Sequence, residues 1–454
     1  MSALPAERRN QMRSWRLWLF FVLSLALLLV LAAACGDDEE EGTPGAASPT
    51  PGAASPTPAA GALSGKLEVF SWWTTGGEGA GLQALFDLYP EKCPGDVEIV
   101  NATVAGGAGF NAREVLTTRM LGGDPPGSFQ VHMGHELTDT WVTTGNMEPL
   151  DAVYEEEGWS DIFPEGVVDI VSYQGKPYSV PVNIHRANVL WYNKSVLEDN
   201  NIEPPTTFDE FFAAADTLKA AGITPLALGD VEVWTSMHLM ETVLLGSLGA
   251  DGYNGLWTGE TDWSGAEVTA ALETFKRVLS YVNSDHSSLT WDQANDLVIS
   301  GDAAMTIMGD WVDADYKAKE FTDFGYMPTP GTEGMYDALS DTFGLPKDAP
   351  NPDAVTCWLR LVGSKEGQEA FNPLKGSVCA RTDCDPSLFD PYLQSAIKDW
   401  KSDTIVPSLA HGAAAAQGWV AEILDAVTAF VADQDVDTFQ SRLADACAEA
   451  DVCS

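Results

Sequence analysis

Residues 66–104 read KLEVFSWWTTGGEGAGLQALFDLYPEKCPGDVEIVNATV, and their pattern decides the fold class. Residues 66–71 alternate apolar and polar side chains, as a half-buried strand does, and a second such run begins at Asp96. Between them, residues 79–89 carry apolar side chains at helical spacing. Because strands and helices keep alternating downstream, we predict α/β layers with mostly parallel sheets.

Later segments show clear helix signals. Thr207 to Glu210 form a capping-box pattern, which opens a helix that we expect to end at Gly222. Near the C-terminus one apolar face is predicted to turn toward the core rather than a membrane. It consists of Val420, Ile423, Leu424, Val427, Phe430 and Val431, and Phe439 and Leu443 continue it on a further helix.

Length and charge limit the function. The 454 residues suit two lobes and a leader, and 67 acidic against 24 basic residues give a formal net charge of -43. The negative electrostatic potential of such a chain repels nucleic-acid phosphates and highly anionic ligands. Nucleic-acid binding is therefore excluded, whereas neutral solutes and cations remain open.

The N-terminus resembles a bacterial lipoprotein signal. Four arginines precede an apolar run at residues 17–31, and three alanines then lead directly into Cys35. The resemblance implies that Cys35 carries a lipid anchor, although Leu31 lies four residues before it instead of three. The alternative is an uncleaved signal anchor, because residues 17–34 are long enough to cross a bilayer. Both interpretations place the folded part outside the cytoplasmic membrane.

A tether follows the anchor. Residues 36–41 read GDDEEE, and the unit GAASPTP occurs at 45–51 and again at 52–58. This composition has too few apolar side chains to form a core, and proline keeps it extended.

Six cysteines remain once Cys35 is set aside, an even number that can pair in an oxidising compartment. Close spacing suggests Cys379 with Cys384 and Cys447 with Cys453, which leaves Cys93 for Cys357, but spacing alone does not fix the connectivity. A zinc cluster is the alternative, although the sequence contains no C-x-x-C.

Two tryptophans point to a sugar. Trp72 and Trp73 directly follow the first predicted strand, and ligands of open α/β sheets lie outside the carboxyl ends of strands. Indole faces suit the C–H patches of a pyranose, whose hydroxyls need hydrogen bonds around the rim. Core packing is the ordinary alternative for a single tryptophan, whereas the adjacent pair favours a binding surface.

Short polar motifs within otherwise apolar sequence, which we call polar islands, supply candidate hydrogen-bonding groups for such hydroxyls. A lone histidine on an apolar strand is more often a core group, so each island is a weak signal by itself. The candidates are Glu78, Gln130, His132, Asn183, His185, Asp310, Trp311, Asp341, Lys375 and His411.

Seven motifs carry a resemblance to a family. They are SWW, GGAGFNAREVLTTRMLGGDPP, FQVHMG, SVPVNIHRANVLWYN, AAMTIMGDW, LSDTFGLP and WLRLVGSKEGQEAFNPLKGS. With the lipobox they resemble the extracellular solute-binding proteins of ABC sugar importers, and most closely the glucose-binding proteins of glucose and mannose uptake. The resemblance covers nearly all of residues 66–432. It implies a two-lobed periplasmic-binding-protein fold of type II, a monomer, and permease subunits as partner.

The resemblance also implies the site. Matching positions suggest ring stacking by Trp72, Trp73, Trp291 and Trp311, and hydrogen bonding by Glu78, Gln130, His132, Asp341, Lys375 and His411. No cofactor is expected. His132, His411 and Asp341 could imitate a metal site, but a metal importer would not need the tryptophans. The glycines of AGGAGFN, residues 105–111, fit a turn before a helix, since no lysine follows as in a phosphate loop.

The family's crossings between lobes divide the chain. The expected segments are a signal peptide (1–34), the tether (35–65), the first lobe (66–177 and 328–372) and the second lobe (178–327 and 373–454).

The predicted function is extracytoplasmic binding of a monosaccharide, with glucose first and galactose or mannose next. A di- or oligosaccharide is the alternative ligand. A secreted glycoside hydrolase is the rival class, for which only Glu78 and Asp341 could serve as the carboxylate pair. Direct hydrogen bonding to sugar hydroxyls is the simpler use of both, so no enzyme activity is expected.

Overall fold

A computed structural model describes residues 62–453 of the chain. The predictions on the signal peptide, on Cys35 and on the tether up to residue 61 lie outside these residues. None of the helices between residues 62 and 453 is long and apolar enough to cross a membrane.

The strand–helix–strand unit that decides the fold class is present. Strand β1 spans Leu63–Phe70, helix α1 spans Gly76–Lys92, and strand β2 spans Gly95–Asn101. The two strands run parallel, with Leu67 opposite Ile99. Leu82, Leu85 and Tyr89 of α1 are buried, so the predicted apolar face packs inward.

The remaining strands are short. They are β3 (Ser128–His132), β4 (Ser172–Tyr173), β5 (Lys176–Pro177), β6 (Ser179–Pro181), β7 (His185–Arg186), β8 (Val189–Asn193), β9 (Thr224–Ala227), β10 (Ala303–Ile307), β11 (Phe324–Pro328), β12 (Met335–Leu339), β13 (Asp341–Gly344) and β14 (Thr404–Pro407).

The other helices follow the alternation. They are α2 (Phe110–Leu121), α3 (His135–Leu137), α4 (Asp151–Glu157), α5 (Glu165–Ile170), α6 (Lys194–Asp199), α7 (Phe208–Ala221), α8 (Trp234–Thr258), α9 (Ala266–Leu279), α10 (Trp291–Ser300), α11 (Trp311–Ala318), α12 (Pro352–Gly363), α13 (Lys365–Lys375), α14 (Pro391–Ser402), α15 (Gln417–Asp433) and α16 (Val436–Glu449).

Two principal sheets define two α/β lobes. The first lobe contains a five-stranded sheet of order β2-β1-β3-β13-β6, and the second contains a four-stranded sheet of order β11-β8-β10-β9. The sheets are mixed, but most strands of each run in one direction, as expected: β13 in the first sheet and β8 in the second run antiparallel to both of their neighbours. Both reversed strands follow a crossing between the lobes, so the chain enters each of these sheets from the other lobe.

A three-stranded sheet of order β14-β12-β7 joins the lobes, and we name it the connecting sheet. Strand β6 still belongs to the first sheet and β8 already belongs to the second, so the chain crosses between residues 181 and 189. It returns between β11 and β13, after residue 328. Helix α13 still packs on α1. We therefore propose lobe borders within 182–188, 329–340 and 376–380.

Local signals and the core agree with the prediction. The capping box of α7 forms, with Glu210 N donating to Thr207 Oγ1 at 3.2 Å, and Gly222 ends the helix with a φ of 81°. The last apolar face is buried at Val420, Ile423 and Phe430. These side chains belong to the apolar core of the second lobe, which is separate from the core around β1 and β3.

Three disulfides join the six cysteines of the described residues. Cys93 is bonded to Cys357, 264 residues away, whereas Cys379–Cys384 and Cys447–Cys453 close short loops of the chain. The long-range bond links α1 to α12 within the first lobe.

Replacing both Cys93 and Cys357 by alanine is expected to lower the free energy of unfolding by about 2–5 kcal/mol, because the bond restricts a long loop of the unfolded chain. The matched control is the alanine pair at Cys447 and Cys453, where the closed loop is only a few residues long and the loss is expected to be smaller. Urea unfolding under non-reducing conditions measures both. A larger loss for the short loop would contradict the argument.

Candidate functional site

The edge of the first sheet provides one side of a cleft. Trp72 and Trp73 follow β1, His132 ends the parallel strand β3, and Asp341 begins β13 directly opposite His132. The carboxyl ends of parallel strands share one edge of a sheet, so these side chains come together.

The second lobe provides the other side. Trp311 begins helix α11 after β10, Trp234 begins α8 after β9, and Trp291 begins α10. Helices that follow strands start at the same edge of their sheet, which places Trp311 and Trp234 at the cleft. Trp291, whose helix follows α9, lines the same cleft. The connecting sheet adds the floor with His185 of β7 and Leu339 of β12.

Together these elements line one cleft. Its lining residues are Trp72, Trp73, Glu78, Gly107, His132, His185, Trp234, Trp291, Trp311, Leu339, Asp341, Lys375 and His411. Nine of the ten predicted site residues are among them. The exception is Gln130, which is buried behind the cleft.

Gln130 acts as a support and not as a lining residue. Its Oε1 accepts from Ser71 Oγ at 2.6 Å and from Trp72 N at 3.3 Å, and its Nε2 donates to Asp341 Oδ1 at 2.7 Å. One amide therefore fixes the loop that carries the tryptophan pair and the carboxylate opposite it. A direct role in hydrogen bonding to a ligand does not fit this position.

The aromatic rings contact one another across the cleft floor. Trp72 lies 5.0 Å from the His132 ring, centroid to centroid. On the other side, Trp311 lies 5.3 Å from His411 and 6.3 Å from Trp234. Indole rings thus line the cleft from both lobes, which is the arrangement that can hold a flat apolar ring from two sides.

Trp234 was missed from the sequence. It begins a helix shortly after the buried strand β9, and the polar residues Asp230 and Glu232 precede it, so both its position and its surroundings were available signals. His185 stood among the polar islands without being assigned to the site.

Asp341 is the central polar group. Its side chain is 3 % exposed, and its Oδ2 accepts from Asn183 Nδ2 at 2.8 Å while Gln130 holds Oδ1. The Nε2 atoms of His132 and His185 lie 3.7 and 3.5 Å from its two oxygens. Two amides and two imidazoles therefore surround one carboxylate.

This surrounding keeps Asp341 ionised. Burial raises the pKa of Asp341, but the neighbouring imidazole of His185 and the charges of Lys375 and His132 outweigh it and hold the pKa far below its ordinary value. Burial and the charge of Lys375 lower the pKa of His185, but the Asp310 carboxylate raises it more, and the net shift is upward. The cleft floor thus carries a fixed anion beside a basic imidazole.

Lys375 connects the two walls. Its buried Nζ lies 3.1 Å from Glu78 Oε1, and it stands 5.7 Å from the Trp73 ring and 5.8 Å from the Trp311 ring. One ammonium therefore contacts aromatic faces of both lobes.

Two buried donors in the cleft have no hydrogen-bond partner among the described residues, namely Trp73 Nε1 and His185 Nε2. A buried donor left without a partner costs about 1–3 kcal/mol. A ligand that carries hydroxyl oxygens would remove this cost at both atoms.

One group behind the cleft could be mistaken for a metal site. His238, Glu241 and His411 offer ligand atoms within 4.8 Å of one another. Glu241 Oε2, however, already accepts from the backbone N of Leu409 at 2.6 Å and of Ala410 at 2.9 Å. This carboxyl group holds the loop that carries His411, so we assign it a supporting role and no ion.

A larger cavity of about 900 Å³ lies on the other face of the connecting sheet. Met133 and Ala338 line it, and each stands next to a residue of the cleft, His132 or Leu339, because successive side chains of a strand point to opposite faces. Its wall is mainly aliphatic and aromatic. Sugar hydroxyls need convergent donors and acceptors, which the smaller cleft provides.

Comparisons with known proteins agree with this geometry. Residues 72–369 match the model of the bacterial extracellular solute-binding protein family. The chain is 37 % identical over 388 residues to an uncharacterized ABC transporter extracellular-binding protein of Pyrococcus horikoshii, covering 84 % of this chain and 87 % of the relative. It is 34 % identical over 374 residues to a probable sugar-binding periplasmic protein of Rhizobium meliloti, covering 80 % of this chain and 88 % of the relative.

A solved structure supports the fold. The bacterial solute receptor AcbH, described as preferring β-D-galactopyranose exclusively, superposes with a TM-score of 0.76 at 20 % identity. The match covers 85 % of this chain and 98 % of that one. The two-lobed α/β architecture predicted from the sequence is therefore confirmed.

Replacing Glu241 by glutamine is expected to change how stability depends on pH. Burial raises the pKa of Glu241 from 4.5 to about 7, so the folded state holds this proton more tightly than the unfolded chain. The stabilisation is complete below about pH 4.5 and is lost as the pH rises toward 7. Glutamine cannot ionise, and its amide can still accept from Leu409 and Ala410.

We therefore expect the unfolding free energy of Glu241→Gln, relative to the wild type, to rise by at least about 1 kcal/mol between pH 4.5 and 8. Burial lowers the pKa of His238 to about 3. Because His238 is present in both proteins, its contribution to the pH dependence cancels in the difference. Urea titrations at four pH values measure it, and a constant difference would show that Glu241 is ionised in the fold.

Proposed function

Because the chain belongs to the bacterial extracellular solute-binding proteins, we propose that it captures a monosaccharide in the cleft between its lobes for an ABC importer. Glucose is the first candidate, and galactose and mannose follow. The supporting observation is a cleft with indole faces on both lobes around the ionised Asp341, with unpartnered donors at Trp73 and His185.

The ligand enters while the lobes are apart. In this closed arrangement the side chains leave only about 30 Å³ of free space between them, so a sugar ring cannot enter or leave unless the lobes move apart. The first lobe offers Trp72, Trp73 and Asp341 to the incoming ring. Closure then brings Trp234 and Trp311 onto it, so contacts made by both lobes select the closed state.

Each polar group has a distinct task. Asp341 can only accept hydrogen bonds from sugar hydroxyls, because it is ionised. Lys375, Trp73 Nε1 and His185 Nε2 can donate to the hydroxyl oxygens. A hexose hydroxyl both donates and accepts, so it matches this mixture better than a carboxylate or a phosphate would.

Binding without hydrolysis is part of the proposal. A glycoside hydrolase needs one protonated carboxyl group as general acid and a second carboxylate. The low pKa of Asp341 removes it as an acid, and Glu78 is paired with Lys375 at 3.1 Å. Incubation with aryl glucosides and maltose is expected to release no product, and release of reducing sugar would contradict the proposal.

The proposed function also includes export of the protein and its anchoring to the membrane. We propose that Cys35 carries the lipid and that the tether holds a monomeric receptor at the outer face of the cytoplasmic membrane, within reach of permease subunits. The apolar run at residues 17–31 and the three alanines before Cys35 support this.

The Asp341→Asn substitution is expected to weaken sugar binding by about 1–3 kcal/mol. The asparagine amide has only one acceptor oxygen, and its NH₂ group would face the NH₂ group of Gln130 or of Asn183. Calorimetric titration with glucose, galactose, mannose and maltose measures the affinities. Asp445→Asn, on the exposed face of α16, is the control and should bind like the wild type. Equal affinity of Asp341→Asn and the control would place the site elsewhere.

A further inference from the structure

The glycine-rich loop before α2 contacts the opposite lobe. The backbone N of Gly107 donates to Glu232 Oε2 at 2.8 Å, and the same oxygen accepts from Trp234 Nε1 at 3.3 Å. Gly107 follows β2 of the first lobe, whereas Glu232 precedes α8 of the second. The Gly107–Glu232 bond therefore crosses the cleft and can exist only when the lobes are closed.

Glycine is required in this loop by the closeness of the other lobe. A Cβ atom at Gly107 would lie 2.4 Å from Glu232 Oε2 and 2.5 Å from Trp234 Nε1. At Gly109, where φ is +76°, it would lie 2.6 Å from Trp72 Cε3. The loop thus packs its bare backbone against two indoles of the site, one from each lobe. This gives the AGGAG sequence a reason that a turn alone does not.

A second contact between the lobes lies at the other end of the cleft. A Cβ atom at Gly77, at the start of α1, would lie 2.5 Å from Ala314 Cβ of α11 in the second lobe. Gly77 precedes Glu78, which reaches Trp73 and Trp311 through Lys375. One contact therefore closes the cleft beside Trp72 and Trp234, and the other closes it beside Trp73 and Trp311.

We propose that the Gly107–Glu232 bond locks the closed cleft at its Trp72–Trp234 end and limits the ligand to a single sugar ring. The proposal rests on the proposed function and adds the length limit and the residue that sets it. A second ring would have to pass between Gly107 and Glu232 or between Gly77 and Ala314, and both passages are occupied by direct contact.

The lock acts on release and not on capture. Because the bond is absent in the open state, it does not affect the encounter of sugar with the first lobe. It stabilises only the closed state, so its removal should raise the dissociation rate and leave the association rate unchanged. A residue that contacts the sugar directly in the open state would change both.

The test compares Glu232→Ala with the wild type by stopped-flow tryptophan fluorescence and calorimetry, using full-length protein with glucose and maltose. We expect glucose to dissociate about tenfold faster from the variant, as the loss of a charge-assisted hydrogen bond implies, with an unchanged association rate. The affinity ratio of glucose to maltose should fall by about tenfold, because the end of the cleft is open. Glu273→Ala, on the exposed face of α9, is the matched control.

Two glycine variants test the same contact without changing a charge. Gly107→Ala should weaken glucose binding by more than tenfold, because its methyl group meets Glu232 and Trp234 on closure. Gly418→Ala has no atom within 4 Å of the added methyl group and should bind like the wild type. Thermal melting of the sugar-free proteins checks that each variant is folded.

The outcomes separate the two proposals. If the wild type binds no sugar, both the proposed function and the lock are overturned. If the wild type binds glucose and both Glu232→Ala and Gly107→Ala match their controls, only the lock is overturned. Tighter glucose binding by Glu232→Ala would also overturn it, because the bond would then oppose the bound state.

Discussion

The site depends on one buried carboxylate that remains ionised. Asp341 lies where β13 rejoins the first sheet, and burial alone would neutralise it. Amide donors from Gln130 and Asn183, together with the imidazoles of His132 and His185, offset the cost. These partners come from β3, from the crossing after β6 and from β7. For this one carboxylate to stay ionised, the edge of the first sheet and the first crossing between the lobes must therefore lie next to each other.

The same position couples binding to the relative placement of the lobes. His185 and Leu339 belong to the connecting sheet, and they face the cleft while their neighbours face the larger cavity behind it. The aromatic walls belong to different lobes. A ligand that contacts Trp72 and Trp311 together thus makes contacts that the open state cannot provide. Part of the free energy of binding therefore drives closure of the lobes.

Sequence reasoning succeeds where the signal is local and fails where it depends on distant chain segments. The first strand and α1 follow from side-chain periodicity, the capping box of α7 follows from a four-residue motif, and all three were predicted within a few residues. Trp72 and Trp73 follow from their place after a strand. The reversed direction of β13 and β8 could not be predicted in this way, because it depends on where the chain enters each sheet from the other lobe. Gln130 shares a face of β3 with His132, so periodicity made them look equivalent, but only His132 reaches the cleft surface.

A crystal structure of the protein with glucose provides the most direct test of this site. We expect one sugar ring between Trp72 and Trp311, with a hydroxyl group within hydrogen-bonding distance of Asp341 and further hydroxyls near Trp73 Nε1 and His185 Nε2. Sugar bound in the larger cavity behind the connecting sheet, or a ring without contact to Asp341, would contradict it.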